Sequence, residues 1–289
     1  MFRATYKNTI KNMLRSPTFW LMFVFLLGLG VYNAFKSSYA TVIPETMEQI
    51  SDLDPRWVFG YDTYIGHIRN AVYANVCMYA MPLFTVASVA VILKRDFNDN
   101  FYEIEKAAGA KSGSYLTARL AAILTVNFIV VLLAVFFNMH LFVALRSLPQ
   151  DMTLGTYLLD STARLFCFSV VSAFPCVIFY VGMAFGIGNL FRSSLASAIT
   201  SVAYIVAYFV VHFVFRLKLM FEYGIDLFAW LPGSPYKVMD YFKYYGTDRF
   251  ESTIKNLSLT DVFLAWGIIF ASFAVLYVLS YLRQRKRTA

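Results

Sequence analysis

The sequence is short of charge. Asp, Glu, Lys and Arg make up 15% of its 289 residues, against roughly a quarter in soluble domains. Beside 59% apolar residues, that scarcity excludes an ordinary water-soluble enzyme, because one core cannot hide so much apolar surface. It is not a disordered chain either, since aromatics reach 18% and such chains are poor in them. Only three cysteines occur, Cys77, Cys167 and Cys176, all within apolar runs. They make neither a disulfide framework nor a Cys-x-x-Cys metal pair. Three histidines, His67, His140 and His212, belong to no H-E-x-x-H motif or His/Asp/Glu cluster, so no metal site is expected. A phosphate loop is missing as well. Gly109-Ala110-Lys111-Ser112 lacks both the first glycine and a glycine directly before the lysine, so the chain is not expected to hydrolyse ATP.

What is present is a set of long apolar runs. Six stand out, at about 18–35, 71–93, 120–145, 165–190, 195–215 and 262–282. Each is long enough to cross ~30 Å of hydrocarbon as a helix. None contains Asp, Glu, Lys or Arg, whereas ion-coupled transporters keep ionisable groups within their spans. The expected fold is an all-α integral membrane protein with six transmembrane helices. Ser38-Tyr39-Ala40 resembles a signal-peptidase site. The basic lead is long, however, and the run exceeds the ~7–15 residues of a signal core. The first run is therefore expected to remain as a span.

The net charge of +8 reports orientation. With both termini on one side, that side carries 14 of the 25 Lys and Arg and four of the 17 Asp and Glu. The positive-inside rule makes it the cytoplasm. The basic excess then faces anionic lipid, not nucleic acid. Two long connections lie outside, at about 36–70 and 216–261. The second is aromatic and is broken at Leu231-Pro232-Gly233-Ser234-Pro235. It reads either as short helices on the outer leaflet or as a small extracellular cap.

Residues 1–16 carry two helical stripes. Phe2, Tyr6, Ile10, Met13 and Leu14 share one face, and Arg3, Lys7, Lys11 and Arg15 form a basic stripe beside it. This predicts an interfacial amphipathic helix, stopped by Pro17.

The connection at 95–115 is the most informative stretch. Asn100 followed by Glu103 predicts a capping box. Glu105, Lys106, Ala107 and Ala108 are compatible with helix, and Gly109 is a natural stop. A short transverse helix between two spans would be a device for taking force from a soluble partner; a solvated loop is the plainer reading.

Taken in order, the basic lead, the six spans, the Tyr102-Glu103-Ile104-Glu105…Gly109…Tyr115…Arg119 segment and the helix-broken aromatic loop resemble the membrane subunit of an ABC-2-type transporter. The resemblance covers nearly the whole chain. It departs in one place: Ala110–Tyr115 lacks the proline that family members often carry there. It implies that 1–16 is a membrane-surface elbow helix and 17–289 a single transmembrane domain. Asn100, Tyr102, Glu103, Ile104, Glu105, Lys106 and Gly109 would form a coupling helix that docks on a separate ABC ATPase subunit, which holds the ATP and Mg. It further implies export of a peptide, lipid, polysaccharide or drug-like substrate, pairing with a second copy or a related permease, and a bacterial plasma membrane.

Two other classes compete. An intramembrane lipid-modifying enzyme would need catalytic groups in or near the spans, and an ion-coupled secondary transporter would work without an ATPase. Gly182 and Gly186 make a small-xxx-small pair, read as ordinary packing before a mobile interface. Asn75, Asn127, Asn138, Ser169, Ser172, Ser197, Thr200 and Ser201 could line a path or join helices, and no substrate contact is assigned to them.

Overall fold

The computed structural model describes residues 2–39, 80–109, 111–145, 174–211, 222 and 259–286. Most of the outer connections, His67, His212, Cys77, Cys167, Asn75, Ser169 and Ser172 lie outside them, as do the first residues of the second and fourth apolar runs. The described residues form eight helices and no strand. These are α1 (Phe2–Leu14), α2 (Pro17–Tyr39), α3 (Met81–Asn98), α4 (Phe101–Ala107), α5 (Ser112–Leu145), α6 (Phe174–Phe191), α7 (Ser194–Val210) and α8 (Leu259–Lys286).

Among the described residues, three stretches are long and apolar enough to cross a membrane: Ser112–Phe137, Phe174–Phe191 and Phe263–Arg285. A fourth becomes possible if α1 and α2, which meet at a 64° bend, count as one broken span. Pro17 makes that bend. It opens α2 at a position where its missing N–H costs nothing, and Ser16 N–H bonds back to Met13 O at 3.0 Å. Helix α7 is apolar but shorter.

Helix α6 is the hub, with 78% of its length buried against 17% for the α8 span. Small residues let its neighbours approach. A Cβ on Gly182 would strike the Phe273 ring of α8, one on Gly186 would stand 2.9 Å from Leu276 Cβ, and one on Gly188 would strike Leu93 of α3. The glycine pair is thus intrachain packing, as expected. Ser280 Oγ donates to Gly186 O at 3.2 Å, and Ser197 Oγ to Ala184 O at 2.5 Å. Between α3 and α5, Asn127 Nδ2 donates to Ser88 Oγ at 2.9 Å. Asn127 and Ser197 are therefore buried helix-to-helix ties; Thr200 is exposed and Ser201 buried.

The outer faces of α2, α5, α7 and α8 expose Leu21, Val24, Leu133, Phe136, Leu195, Ile199, Phe263 and Val275. Large apolar side chains exposed on four helices suit hydrocarbon and not water. The all-helical expectation holds at this level.

Candidate functional site at the polar end of the bundle

Helix α4 ends where expected. Gly109 takes φ 88, the left-handed conformation that glycine adopts without a Cβ clash, and its N–H bonds Lys106 O at 2.8 Å. The start differs from the sequence reading. Asn100 sits at the N-cap position with φ 52 and its side chain caps nothing. The predicted capping box does not form, because a left-handed Asn100 is not in the extended conformation that aims a cap at the first turn. Glu103, its intended partner, pairs instead with Arg192 Nη2 at 2.9 Å.

The predicted docking residues divide between two faces. Tyr102 and Glu105 face the bundle. The Tyr102 ring meets the Tyr115 ring edge-on at 5.0 Å, and its hydroxyl lies 3.3 Å from Ser112 Oγ. Glu105 Oε2 accepts from Thr5 Oγ1 of α1 at 2.6 Å. Lys106 is half-buried, while Asn100, Glu103, Ile104, Ala107, Ala108 and Gly109 are exposed. Ile104 is 59% exposed, an aliphatic side chain presented outward from a short polar helix.

Helix α4 thus touches α1 through Thr5, α5 through Tyr115 and Ser112, and the α6–α7 turn through Arg192, while its backbone continues from α3. That turn is itself tightly made. Arg192 has φ 51, and Ser193 caps α7 by accepting from Ala196 N at 3.1 Å.

Helix α1 lies mainly along α5. Its buried residues are Thr5, Thr9 and Met13, while Phe2 and Leu14 are 45% and 43% exposed. The predicted apolar face is therefore shared: Met13 goes to the protein, and Phe2 and Leu14 face outward. The small threonines take the contact because they let the two helices come close. Tyr6 Oη donates to Thr125 Oγ1 at 3.1 Å, and Arg95 Nη1 donates to Asn12 Oδ1 at 2.8 Å. Arg3, Lys7, Lys11 and Arg15 are all exposed.

One constellation escaped the sequence reading. Asp96 near the end of α3 and Arg119 in α5 form a buried ion pair. The apolar runs are free of charge, but the helices that carry them are not: α3 runs on past Leu93, and α5 starts at Ser112. Both residues lie just outside the apolar runs at 71–93 and 120–145, which carry no charge themselves. The Arg119 guanidinium lies 4.9 Å from the Tyr115 ring centre and 5.5 Å from that of Phe101, and its Nε and Nη1 have no hydrogen-bond partner. Ring faces thus supply part of what desolvation removes. Burial pushes the Asp96 carboxyl up to about 7, against the opposing pull of Arg119 and of the Tyr115 hydroxyl; Glu105 adds a smaller upward push. The signal was there in outline. Lys111, Tyr115 and Arg119 recur at four-residue steps, so a helix started at Ser112 puts Tyr115 and Arg119 on one face.

Beside the pair is a small cleft of about 70 Å³, lined by Asp96, Tyr102, Glu103, Lys106, Tyr115, Asn189, Arg192 and Gln284 among others. Gln284 Nε2 donates to Asn189 Oδ1 at 3.1 Å, tying the end of α8 to α6. Among the described residues no three His, Cys, Asp or Glu side chains are grouped to hold a metal ion. Chemically the site is a junction of side-chain ties with one outward apolar tip. No protein-family model matches the chain, and no curated protein matches it.

Proposed function

We propose that the chain is the six-span permease subunit of an ABC-2-type exporter in a bacterial plasma membrane, with both termini in the cytoplasm. A separate ATPase subunit docks on α4. Two such permease chains, or this one and a related one, enclose the path for a peptide, lipid, polysaccharide or drug-like substrate. The observation that carries this reading is the arrangement of α4. It is a short helix between two apolar ones, tied to α1, to α5 and to the α6–α7 turn, and it presents Ile104 outward. Force applied at its tip would reach these elements at once. ATP-driven closure of the ATPases would then favour one of two bundle arrangements over the other.

Replacing Glu103, Glu105 and Lys106 together tests this reading. The expected result is loss of ATPase co-purification and of export. Unchanged values for both contradict it.

A second reading draws on the Asp96–Arg119 pair. Buried ionisable groups in membrane helices often mark proton relays, so ion-coupled transport without an ATPase is the rival. The position of the pair favours a structural role. It sits at the ends of the apolar runs beside α4, whereas coupling sites of secondary transporters lie near the bilayer midplane. Uptake driven by an ion gradient in vesicles holding this chain alone would support the rival.

A further inference from the structure

Helix α1 has a basic side that the bundle does not use. Thr5, Thr9 and Met13 are its buried positions. At 100° per residue, Arg3, Lys7 and Lys11 fall on the opposite side of the helix, and Arg15 follows in the turn. All four cations are exposed. Among the described residues, none of them meets a carboxylate at ion-pair distance. Cations left unpaired on the side facing away from the bundle await an anionic surface.

The neighbours of the stripe identify that surface. Phe2 and Leu14 expose apolar side chains along the same helix. At the α1–α2 bend Trp20 is half exposed, and its Nε1 donates to Leu14 O at 2.7 Å. An indole with a bound N–H and an open ring face is what the polar–apolar boundary of a bilayer selects. Apolar side chains, an indole and a row of cations match the layers of a leaflet that bears phosphate groups. Nucleic acid or an acidic protein would use the cations but leave the apolar groups in water.

This helix also holds α4. Thr5 Oγ1 donates to Glu105 at 2.6 Å, and Asn12 accepts from Arg95 at the end of α3 at 2.8 Å. A change in the seating of α1 therefore reaches the proposed docking helix directly through the Thr5–Glu105 bond, and reaches the end of α3, from which α4 continues, through the Arg95–Asn12 bond.

We infer that Arg3, Lys7, Lys11 and Arg15 bind the headgroups of anionic phospholipids, and that this anchorage, passed on through Thr5 and Asn12, holds α4 in place for its partner. The inference rests on the reading of α1 as interfacial and of α4 as a docking helix. It adds that leaflet charge regulates the coupling.

The test uses the full chain, without any ATPase, in nanodiscs of phosphatidylcholine alone or mixed with phosphatidylglycerol. Backbone amide exchange is followed over Phe101–Ala107. Exchange is expected to be at least about fivefold slower in the mixed discs, because the cations draw α1 onto the anionic surface. Neutralising the stripe (R3Q, K7Q, K11Q and R15Q together) is expected to remove the difference, and Lys7→Arg with Lys11→Arg to keep it. Thr5→Val is expected to retain bound phosphatidylglycerol yet lose the slowing. Rising salt, which needs no variant, is expected to erase the lipid effect in the wild type. Equal exchange in the two disc types, or a lipid effect that survives in the neutralised chain, overturns the inference. So does an acidic polypeptide or RNA that slows α4 exchange equally in phosphatidylcholine discs. None of these results bears on whether an ATPase docks, so the two ideas fail separately.

Discussion

Asp96→Ala is expected to destabilise the protein by about 3–5 kcal/mol, the usual cost of leaving one member of a buried ion pair alone. Arg119 is 1% exposed. Its guanidinium cannot release its proton at any pH the protein tolerates. With alanine at 96 it keeps its two ring faces and loses its ion-pair partner. Arg119→Met is expected to cost less, for two reasons. Methionine fills much of the vacated volume, and the abandoned carboxyl can take up a proton, which burial already promotes. Asp96→Asn is expected to cost less than Asp96→Ala, because it keeps an acceptor beside Arg119.

The same substitution carries a pH signature. The folded Asp96 value of about 7 stands above the ordinary 3.8, so the fold binds this proton more tightly than the unfolded chain does. The stability linked to that proton is complete below 3.8 and is lost as pH rises through about 7. Thermal midpoints in detergent are therefore expected to fall across neutral pH for the wild type and to stay flat for Asp96→Asn. Equal slopes, or an Asp96→Ala midpoint equal to the wild type, would contradict this account of the pair.

Ile104→Glu is expected to have the largest effect on partner binding with little on the fold. At 59% exposure, Ile104 gives the bundle little packing, so stability should stay within about 0.5 kcal/mol of wild type. If Ile104 is the apolar anchor in a pocket of the ATPase, its loss removes a buried contact and puts a charge in its place. That combination is expected to weaken binding by a hundredfold or more, which is about 3 kcal/mol. The nearby acids make poorer probes. Glu103 also holds Arg192, and Glu105 also holds Thr5, so their loss loosens the site as well as altering its surface. Wild-type ATPase recovery with a folded Ile104→Glu chain would place the docking surface elsewhere.

The legible parts of this fold were those governed by neighbours in sequence. Pro17 cannot continue a helix, and it separates α1 from α2. Gly109 supplies a positive φ, and it ends α4. Both effects act within a turn of the residue that causes them. The missed parts depended on distant partners. By spacing alone, Asn100 and Glu103 predict a capping box within four residues. In the fold an arginine 89 positions away competes for Glu103 and wins, while Asn100 adopts a conformation that removes the cap. Asp96 and Arg119 each lie just outside an apolar run, among the charges of the cytoplasmic connection, and no local spacing pairs them. Only the continuation of α3 and α5 beyond those runs buries them together. Helix α1 was legible in its basic stripe and not in its contact face, since threonine at Thr5 and Thr9 carries no apolar signal although its size suits close packing.

The central claim is that a separate ATPase drives this bundle through α4. The most direct measurement replaces Ile104 with a photo-crosslinking residue in the full chain, co-expressed with a candidate ATPase, and compares the adducts with those from the same residue placed at Glu222, which lies on the far side of α7 in sequence and is expected to face the opposite side of the membrane. The account expects an ATPase adduct from position 104, sensitive to added ATP, and none from 222. An equal yield from both positions, or none from 104 while the two chains still co-purify and transport, would contradict it.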